Sequence, residues 1–368
     1  MTLLLLSLVA LLAFANGSND NSKGVATLVG FGAARPLQAL IFATVATSLG
    51  GIVSFFLAGG LLESFSGSWL FAGSITLDQR FYIAVLIGAC GWVFLATKIG
   101  MPVSTTHAII GALIGAGLFS FGTAKFQWPM LGHNFALPLA LSPILSLTIV
   151  YVIAWPVLWL VAAFAKKQYA RQEAILESVT VGGQSETRTL EYASTESTTP
   201  VSPTANAIHW LTCGLISFAR GWNDTPKIAA LSLLALSTVK HGTAVGFLIV
   251  TVAMAAGGIF MGRKVLQTLA KKLTPLPLAE SLTASLVTAA LVALASWVSL
   301  PVSTTHVATG SIIGAGLKNN PSRVKWTKVG EIVLSWIITL PVAAVIAFAA
   351  DFILRLQAPL KLKFSQTH

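Results

Sequence analysis

Long apolar stretches separated by short polar segments dominate the sequence and determine which elements are predicted. Most stretches have about 20 residues, the length at which an α-helix crosses the hydrocarbon core of a bilayer. We therefore predict an all-α integral membrane protein with about ten membrane segments. The predicted segments are residues 3–34, 37–60, 81–98, 103–120 and 138–165, and then 208–238, 241–262, 279–298, 302–317 and 330–354.

One polar stretch divides this apolar pattern into two comparable parts. Residues 166–206 are rich in Ser, Thr, Glu and Gly, and we interpret them as a polar surface linker. The predicted organisation is therefore a first repeat at 1–165, the linker, and a second repeat at 207–368.

Two motifs occur once in each half and in the same order. The Asn-Asp motif reads FANGSNDNSK at 14–23 and FARGWNDTPK at 218–227. The Ser-Thr-Thr motif reads PVSTTH at both 102–107 and 301–306. Two motifs that recur in one order indicate an internal duplication.

Loop charges indicate how the two halves are oriented. Residues 263–278 carry four basic and no acidic residues, whereas the corresponding loop, 61–80, carries two acids and one base. Residues 318–329 carry four basic residues, whereas 121–136 have one lysine. Because basic loops collect in the cytoplasm, corresponding loops are expected on opposite sides of the membrane. This pattern predicts inverted-topology repeats.

The same charges predict a topology for a multi-pass protein of the cell membrane. With the basic loops and the linker in the cytoplasm, each half crosses an odd number of times and both termini lie outside. Arg355, Lys361 and Lys363 argue against an outside C-terminus. The segments that meet at Pro102 and at Pro301 are either full crossings or re-entrant hairpins, and loop charges do not separate the two.

Composition agrees with a membrane protein and excludes some other classes. Only 10% of residues are charged, whereas soluble domains have about 25%. The net charge of +11 does not predict a nucleic-acid partner, because the basic residues lie in short loops without interleaved aromatic residues. Cys90 and Cys213 are expected as buried free thiols. The apolar run 3–14 is not expected to be a cleaved signal, because no Lys or Arg precedes it and the segment recurs.

The Asn-Asp motifs place charges inside predicted membrane segments. Gly, Asn and Asp favour helix poorly, so we expect each motif to break its helix, as at many transporter sites. A carboxylate at membrane depth is costly unless paired or hydrated, which makes Asp20 and Asp224 candidates for cation or proton coupling. The alternative is an ion pair with Lys23 or Lys227, three residues further on. Each lysine either contacts an anion or extends toward the membrane interface.

The Ser-Thr-Thr motifs are candidate anion-binding elements. We expect each motif to begin a helix, with its proline in the first turn. A helix start offers unpaired N–H groups and the positive end of the dipole, and hydroxyls add donors without a permanent charge. The alternatives are N-capping and contacts between helices. The candidate residues are Ser104, Thr105, Thr106, Ser303, Thr304 and Thr305.

Histidines and glycines complete the motif regions. His107 and His306 either relay protons, bind metal or serve only in packing. No further spacing of Cys, His or Asp supports a metal site, and no cofactor is predicted. The glycines that follow each motif are expected at close helix contacts. They include Gly111, Gly115, Gly117, Gly310, Gly314 and Gly316.

At these motifs the chain resembles the inorganic phosphate transporter family, often called PiT. That family has a G-x-N-D signature in each half, matched here at 17–20 and 221–224, and a later P-V-S-T-T-H-like element. The resemblance spans both halves but not the linker or the tails. It implies that the Ser and Thr hydroxyls hold phosphate, that Na⁺ or H⁺ is co-transported, and that the protein is a homodimer. The residues it implies for the cation and phosphate sites beside them are Asn19, Asp20, Asn223 and Asp224.

One departure from the family pattern bears on coupling. Many members have a second Asn three residues after the Asp, where this chain has Lys23 and Lys227. A fixed ammonium takes the space of a sodium ion, so our hypothesis is that Na⁺ coupling is weakened and H⁺ coupling is favoured.

The predicted function is symport of inorganic phosphate by alternating access, coupled to H⁺ or Na⁺. A sulfate permease of the same fold is the alternative, although phosphate, unlike sulfate, can donate a hydrogen bond to Asp20 or Asp224. An anion channel would need weak binding at several positions along an open path. An intramembrane hydrolase that uses Ser104 or Ser303 would have a duplicated nucleophile without clear use, and no enzyme is predicted.

Overall fold

A computed structural model describes residues 1–73, 75–153, 156, 203–273 and 276–356. Ten major helices lie within these residues, and the only β contact there is an isolated bridge between Phe71 and Phe126. The helices are α1 Thr2–Asp20, α2 Pro36–Leu57, α3 Gln79–Ile99, α4 Thr105–Phe121, α5 Trp128–Ile153, α6 Pro203–Ala229, α7 Gly242–Met261, α8 Leu278–Trp297, α9 Thr304–Asn319 and α10 Trp326–Leu356.

Shorter helical segments connect these ten helices. Short α-helices are Ala26–Gly30, Gly59–Ser64, Leu233–Leu236 and Arg263–Gln267. The 3₁₀ turns are Asn21–Val25, Ser68–Leu70, Thr123–Lys125, Ala230–Ser232 and Pro321–Arg323, and a π-helical turn lies at Thr268–Leu273. A second π-helical turn, Gly132–Ala136, lies within α5.

The helix bounds agree with the predicted apolar segments except around two predicted loops and at α6, which begins at Pro203 within the predicted linker 166–206. Helix α5 begins ten residues before the predicted start at 138, inside the predicted loop 121–136. The predicted loop 263–278 is largely helical. Residues 157–202, which include most of the linker, lie outside the described residues, as do 357–368 with Lys361 and Lys363.

Seven of the described helical spans are long and apolar enough to cross a membrane. Helix α4 is apolar but has only 17 residues, and α9 has 16. Helix α6 is longer but carries the charged Asn-Asp motif. The protein is therefore a multi-pass membrane protein, and ten membrane segments stay a prediction. Large apolar side chains on its outer surface include Phe56, Leu248, Phe260, Leu294 and Val345.

The two halves exchange their first two helices. Helix α1 packs against α7, where a Cβ on Gly17 would lie 1.9 Å from the Met254 carbonyl oxygen. Helix α6 packs against α2 in the same way, with a Cβ on Gly221 at 2.0 Å from the Thr47 carbonyl oxygen. Only glycine permits backbones to approach this closely. The motif glycines therefore belong to packing contacts between the halves.

The later helices repeat this exchange. Helix α4 packs against α10, with Gly111 beside the Leu340 carbonyl, and α9 packs against α5, with Gly310 beside the Pro143 carbonyl. Gly115 and Gly314 make the corresponding contacts one turn further along, as predicted for close helix packing. Each helix that begins at a Ser-Thr-Thr motif thus rests on the last helix of the opposite half.

The first helix belongs to the protein core. Leu5, Val9 and Leu12 of α1 are fully buried, so the apolar run at 3–14 is part of the folded domain. Cys90 and Cys213 are buried free thiols, as predicted.

Candidate functional site

The Asn-Asp motifs tighten or continue their helices instead of unwinding them. In the first half, α1 ends at Asp20 and passes through the 3₁₀ turn Asn21–Val25 into the short helix Ala26–Gly30. In the second half, α6 runs unbroken through the motif, with Pro226 inside it, and becomes 3₁₀ only at Ala230–Ser232. The prediction of broken helices at both motifs was wrong for α6, because its motif residues find partners without giving up helical backbone.

Each Ser-Thr-Thr motif begins a helix, but its serine is the cap. Ser104 Oγ accepts from the His107 N–H at 3.2 Å, and Ser303 Oγ accepts from the His306 N–H at the same distance. Each proline lies two residues before the N-cap, in the extended segment, so the prediction of proline in the first turn was wrong. Both serine oxygens are used in capping, and the threonines hold the hydroxyls that point elsewhere.

The two Ser-Thr-Thr motifs meet each other in the interior. Thr305 Oγ1 donates to the Val103 carbonyl oxygen at 2.7 Å, and Thr106 Oγ1 to the Val302 carbonyl oxygen at 3.5 Å. Both contacts join residues of opposite halves, so the two helix starts face one another across a shared centre. Thr304 is buried on the first turn of α9.

Lys23 places its ammonium among oxygens from both halves. Its Nζ donates to the Asp20 carboxylate, the Val103 carbonyl at 2.9 Å, and the Thr305 hydroxyl. Asp20 also accepts from Asn16 at 2.9 Å and from Thr105 at 3.3 Å. The predicted Asp20–Lys23 ion pair is therefore present and buried.

Lys227 has the corresponding arrangement in the second half. Its Nζ donates to the Val302 carbonyl at 2.8 Å, to Thr106 Oγ1 at 3.0 Å and to the Asn223 amide oxygen. Asp224 Oδ1 lies 3.4 Å away, which completes the second predicted ion pair. Both lysine side chains are buried, which is inconsistent with the alternative that they extend toward the membrane interface.

The two motif asparagines support neighbouring segments. Asn19 accepts from the Val103 N–H at 3.0 Å and donates to Thr97 Oγ1 and to the Met101 carbonyl. Asn223 donates to Ser296 Oγ at 2.8 Å. The hydrogen bonds of Asn19 hold the end of α3 close to the start of the following Ser-Thr-Thr motif, whereas Asn223 joins the end of α8 to Lys227.

The two histidine rings lie against each other at the same centre, tilted by 39°. The rings of His107 and His306 have centroids 4.5 Å apart, and His306 lies 4.0 Å from the ring centroid of Trp336. His107 Nδ1 is 2.9 Å from Ser104 Oγ, and His306 Nδ1 is 3.2 Å from the Leu139 carbonyl. His306 Nε2 is buried without a hydrogen-bond partner in the described part of the chain.

Five charged side chains lie at this centre, and each is at most 3% exposed. We call these five residues the central cluster. Two carboxylates face three cationic groups, which leaves a formal charge of +1. The five residues are Asp20, Lys23, Arg220, Asp224 and Lys227. Buried charges are stable when they are paired and hydrogen-bonded, and a surplus positive charge favours an anion beside it.

Comparison with known proteins gives this arrangement its context. The sequence profile of the Phosphate transporter family matches residues 16–347. The chain belongs to this family. The resemblance stated from the motifs is therefore confirmed.

Alignments with individual relatives extend over nearly the whole of this chain. A protein of Rhizobium meliloti named "Probable low-affinity inorganic phosphate transporter" is 29% identical over 354 residues, covering 92% of this chain and 93% of its own. A protein of Pyrococcus furiosus named "Putative phosphate permease PF1020" is 28% identical over 389 residues, with 91% and 92% coverage. A solved structure described as "The sodium-dependent phosphate transporter" has the same fold, with a TM-score of 0.76 at 24% identity, over 97% of this chain and 99% of that one.

Arg220 lies in the centre of the charged cluster, although the sequence motifs did not single it out as a site residue. Its guanidinium donates to Asn16 Oδ1 at 3.1 Å, to Asn21 Oδ1 at 3.3 Å and to Thr47 Oγ1 at 3.3 Å, and its Nε lies 3.6 Å from Asp224. A signal was available, because Arg220 is an intramembrane charge at the motif position where the first half has Asn16.

Trp336 is the second residue that sequence reasoning missed. Its Nε1 donates to the Pro102 carbonyl at 3.3 Å, while its ring packs at a tilt against His306, so it contacts both Ser-Thr-Thr motifs. It stands ten residues into α10, within an apolar helix that gives no motif to identify it.

Proposed function

We propose that this protein is a secondary active transporter that moves inorganic phosphate by alternating access, with H⁺ or Na⁺ as the coupled ion. The observation that carries the proposal is the buried central cluster, where four motifs from two halves meet around a surplus positive charge. Family membership supports phosphate as the substrate.

The substrate would lie between the first turns of α4 and α9. There the hydroxyls of Thr105, Thr106 and Thr305, the buried Thr304 and the positive ends of two helix dipoles would surround it. Asp20 and Asp224 would accept hydrogen bonds from the protonated oxygens of phosphate, which a fully ionised oxyanion cannot donate. The capping bonds of Ser104 and Ser303 make them supports of these helix starts in this state.

We infer that α3–α4 and α8–α9 are re-entrant hairpins entering from opposite faces. Helix α10 has 31 residues and is about 46 Å long. The N-cap of α3, Asp78, pairs with Arg355 near the end of α10, whereas Leu273, just before α8, accepts from the Lys325 N–H before its start. Such entry from both sides supports inverted repeats.

The depth of the hairpin tips supports the same inference. Trp336, which contacts both tips, lies about 15 Å along α10 from its first residue. A tip at that depth is inside the membrane and not at either surface. The hydroxyls and helix dipoles of both tips would then meet a substrate in the interior.

Alternating access would follow from contacts that join the halves. The cluster is closed to solvent, and Thr305–Val103 and Lys227–Thr106 bridge opposite halves. Opening toward one face requires one set of cross-half contacts to separate while the other holds. Rocking of one repeat against the other around a fixed site would produce that exchange. The homodimer, the cytoplasmic linker and the outside termini stay predictions.

Uptake into proteoliposomes tests the proposal directly. We expect saturable accumulation of labelled phosphate above its external concentration, driven by an imposed ion gradient, with sulfate competing weakly. Thr105→Val should weaken uptake, because it removes a hydroxyl beside Asp20, whereas Thr105→Ser should retain it. Equilibration without accumulation would indicate a channel, and preferential accumulation of sulfate would replace phosphate as the substrate.

A further inference from the structure

Each lysine of the central cluster lies within a shell of oxygen atoms. The shell of Lys23 consists of a carboxylate, a backbone carbonyl and a hydroxyl, from Asp20, Val103 and Thr305. The shell of Lys227 has the same three groups and an amide oxygen, from Asp224, Val302, Thr106 and Asn223. The shells match with the halves exchanged, since each lysine reaches a hydroxyl of the opposite half.

These oxygens account for every donor of the two ammonium groups. A lysine ammonium has three N–H donors. Lys23 has three oxygen partners, and Lys227 has three close ones with Asp224 Oδ1 at 3.4 Å as a fourth. In this state neither lysine has a donor left for an anion. In this state the ammonium groups therefore act as cations that neutralise oxygens of the protein.

The same oxygen sets suit a small free cation. Carboxylate, carbonyl, hydroxyl and amide oxygens are the ligands that hard cations prefer. A fixed ammonium supplies the same charge to the same oxygens without being taken from solution. Because the charge is tethered, it cannot be moved across the membrane with the substrate.

We propose that Lys23 and Lys227 are tethered cations that fill two monovalent cation sites, so that transport by this chain needs no Na⁺. This inference rests on the proposed function for its transport consequence only. The occupancy of the two oxygen shells is a separate property that cation binding can measure without transport.

Two substitutions of each lysine distinguish the effect of losing the positive charge from the effect of opening the oxygen shell. Lys23→Ala removes the charge and opens the oxygen shell, whereas Lys23→Met removes the charge but fills the same volume. Lys227→Ala and Lys227→Met form the matched pair in the other half. Only the alanine variants leave room for a solution cation among the remaining oxygens.

Phosphate uptake and binding of ²²Na⁺ are measured for all five proteins in NaCl and in choline chloride. Wild type should take up phosphate equally in both salts and bind no ²²Na⁺. The alanine variants should bind ²²Na⁺, and Na⁺ should raise their phosphate affinity about 5–150-fold, the usual range for coupled sites. The methionine variants should show neither effect.

Three results would overturn the inference. They are Na⁺-dependent uptake by wild type, stoichiometric ²²Na⁺ binding by wild type, and identical behaviour of folded alanine and methionine variants. The two wild-type measurements decide the matter even when a variant fails to fold. Absence of phosphate uptake by wild type in any salt would reject the proposed function, while ²²Na⁺ binding would still test the oxygen shells.

Discussion

Replacing Arg220 by Asn tests whether the surplus charge of the central cluster attracts phosphate. Asn is the residue at the matching position of the first half, Asn16, so the variant makes the two motifs alike there. Arg220 is 1% exposed and lies 3.6 Å from Asp224. Its removal changes the cluster from +1 to neutral, and we expect phosphate to bind more weakly.

The expected loss of phosphate affinity follows from the charge that Arg220 contributes. A guanidinium and a phosphate charge about 5 Å apart would interact by about 3 kcal/mol at an effective dielectric constant of about 20. A charged hydrogen bond contributes about 1.5 kcal/mol at the low end. Since about 1.4 kcal/mol is a factor of ten, the dissociation constant of phosphate should rise about 10- to 150-fold.

Equilibrium binding of labelled phosphate to purified protein measures this change, with initial uptake rates in proteoliposomes beside it. Arg220→Lys is the matched control, because it keeps the charge and loses the fork that reaches Asn16, Asn21 and Thr47. We expect it to bind within a few-fold of wild type. A folded Arg220→Asn variant with unchanged affinity would refute the charge argument, and equal losses in both variants would assign the effect to the fork.

Three further changes have definite outcomes. Gly221→Val should reduce the free energy of unfolding by about 1–3 kcal/mol, because a Cβ would lie 2.0 Å from the Thr47 carbonyl oxygen. This loss is measured as a lower thermal unfolding temperature in detergent. Gly59→Ala is the control and should leave that temperature unchanged, because the space at its Cβ is open. Thr305→Val should weaken phosphate uptake by removing a hydroxyl shared by both halves, and Thr305→Ser should restore it; equal activity of the two would contradict this. Trp336→Phe should cost about 1 kcal/mol in the same thermal assay, since it loses one hydrogen bond, and an unchanged unfolding temperature would show that the contact is not stabilising.

Helix positions were predictable because lipid imposes a simple rule on the chain. An apolar stretch of about 20 residues is required wherever backbone crosses hydrocarbon, and α2, α7 and α8 begin and end within a few residues of that prediction. Helix α5 was missed at its start because Trp128–Leu131 follows polar residues and includes a proline, which is typical of a loop but also tolerated in a first helical turn.

The candidate residues were predictable as a set, but not their individual contacts. Duplication marked the motifs, and the structure brings the threonines, aspartates and lysines of both halves together. Their roles in transport stay predictions. Which hydroxyl caps a helix and which faces the centre depends on backbone angles at Ser104 and Ser303, which residue type alone does not specify. Trp336 was not predictable, since its contacts depend on how α10 lies against the opposite half.

The departure from symmetry in the cluster bears on which oxyanion the site accepts. Two matched Asp-Lys pairs would be neutral together, and Arg220 adds one unit of charge that the first half does not match. One coupled cation of the proposed symport would raise the charge of the centre to +2, which a dianion neutralises and a monoanion does not. Burying an uncompensated charge is costly, so the charge count depends on the number of coupled cations and does not by itself select phosphate. A protonated phosphate oxygen, in contrast, can donate a hydrogen bond to Asp20 or Asp224, and sulfate has no proton to donate. Hydrogen-bond donation is therefore the property of the proposed site that favours phosphate over sulfate.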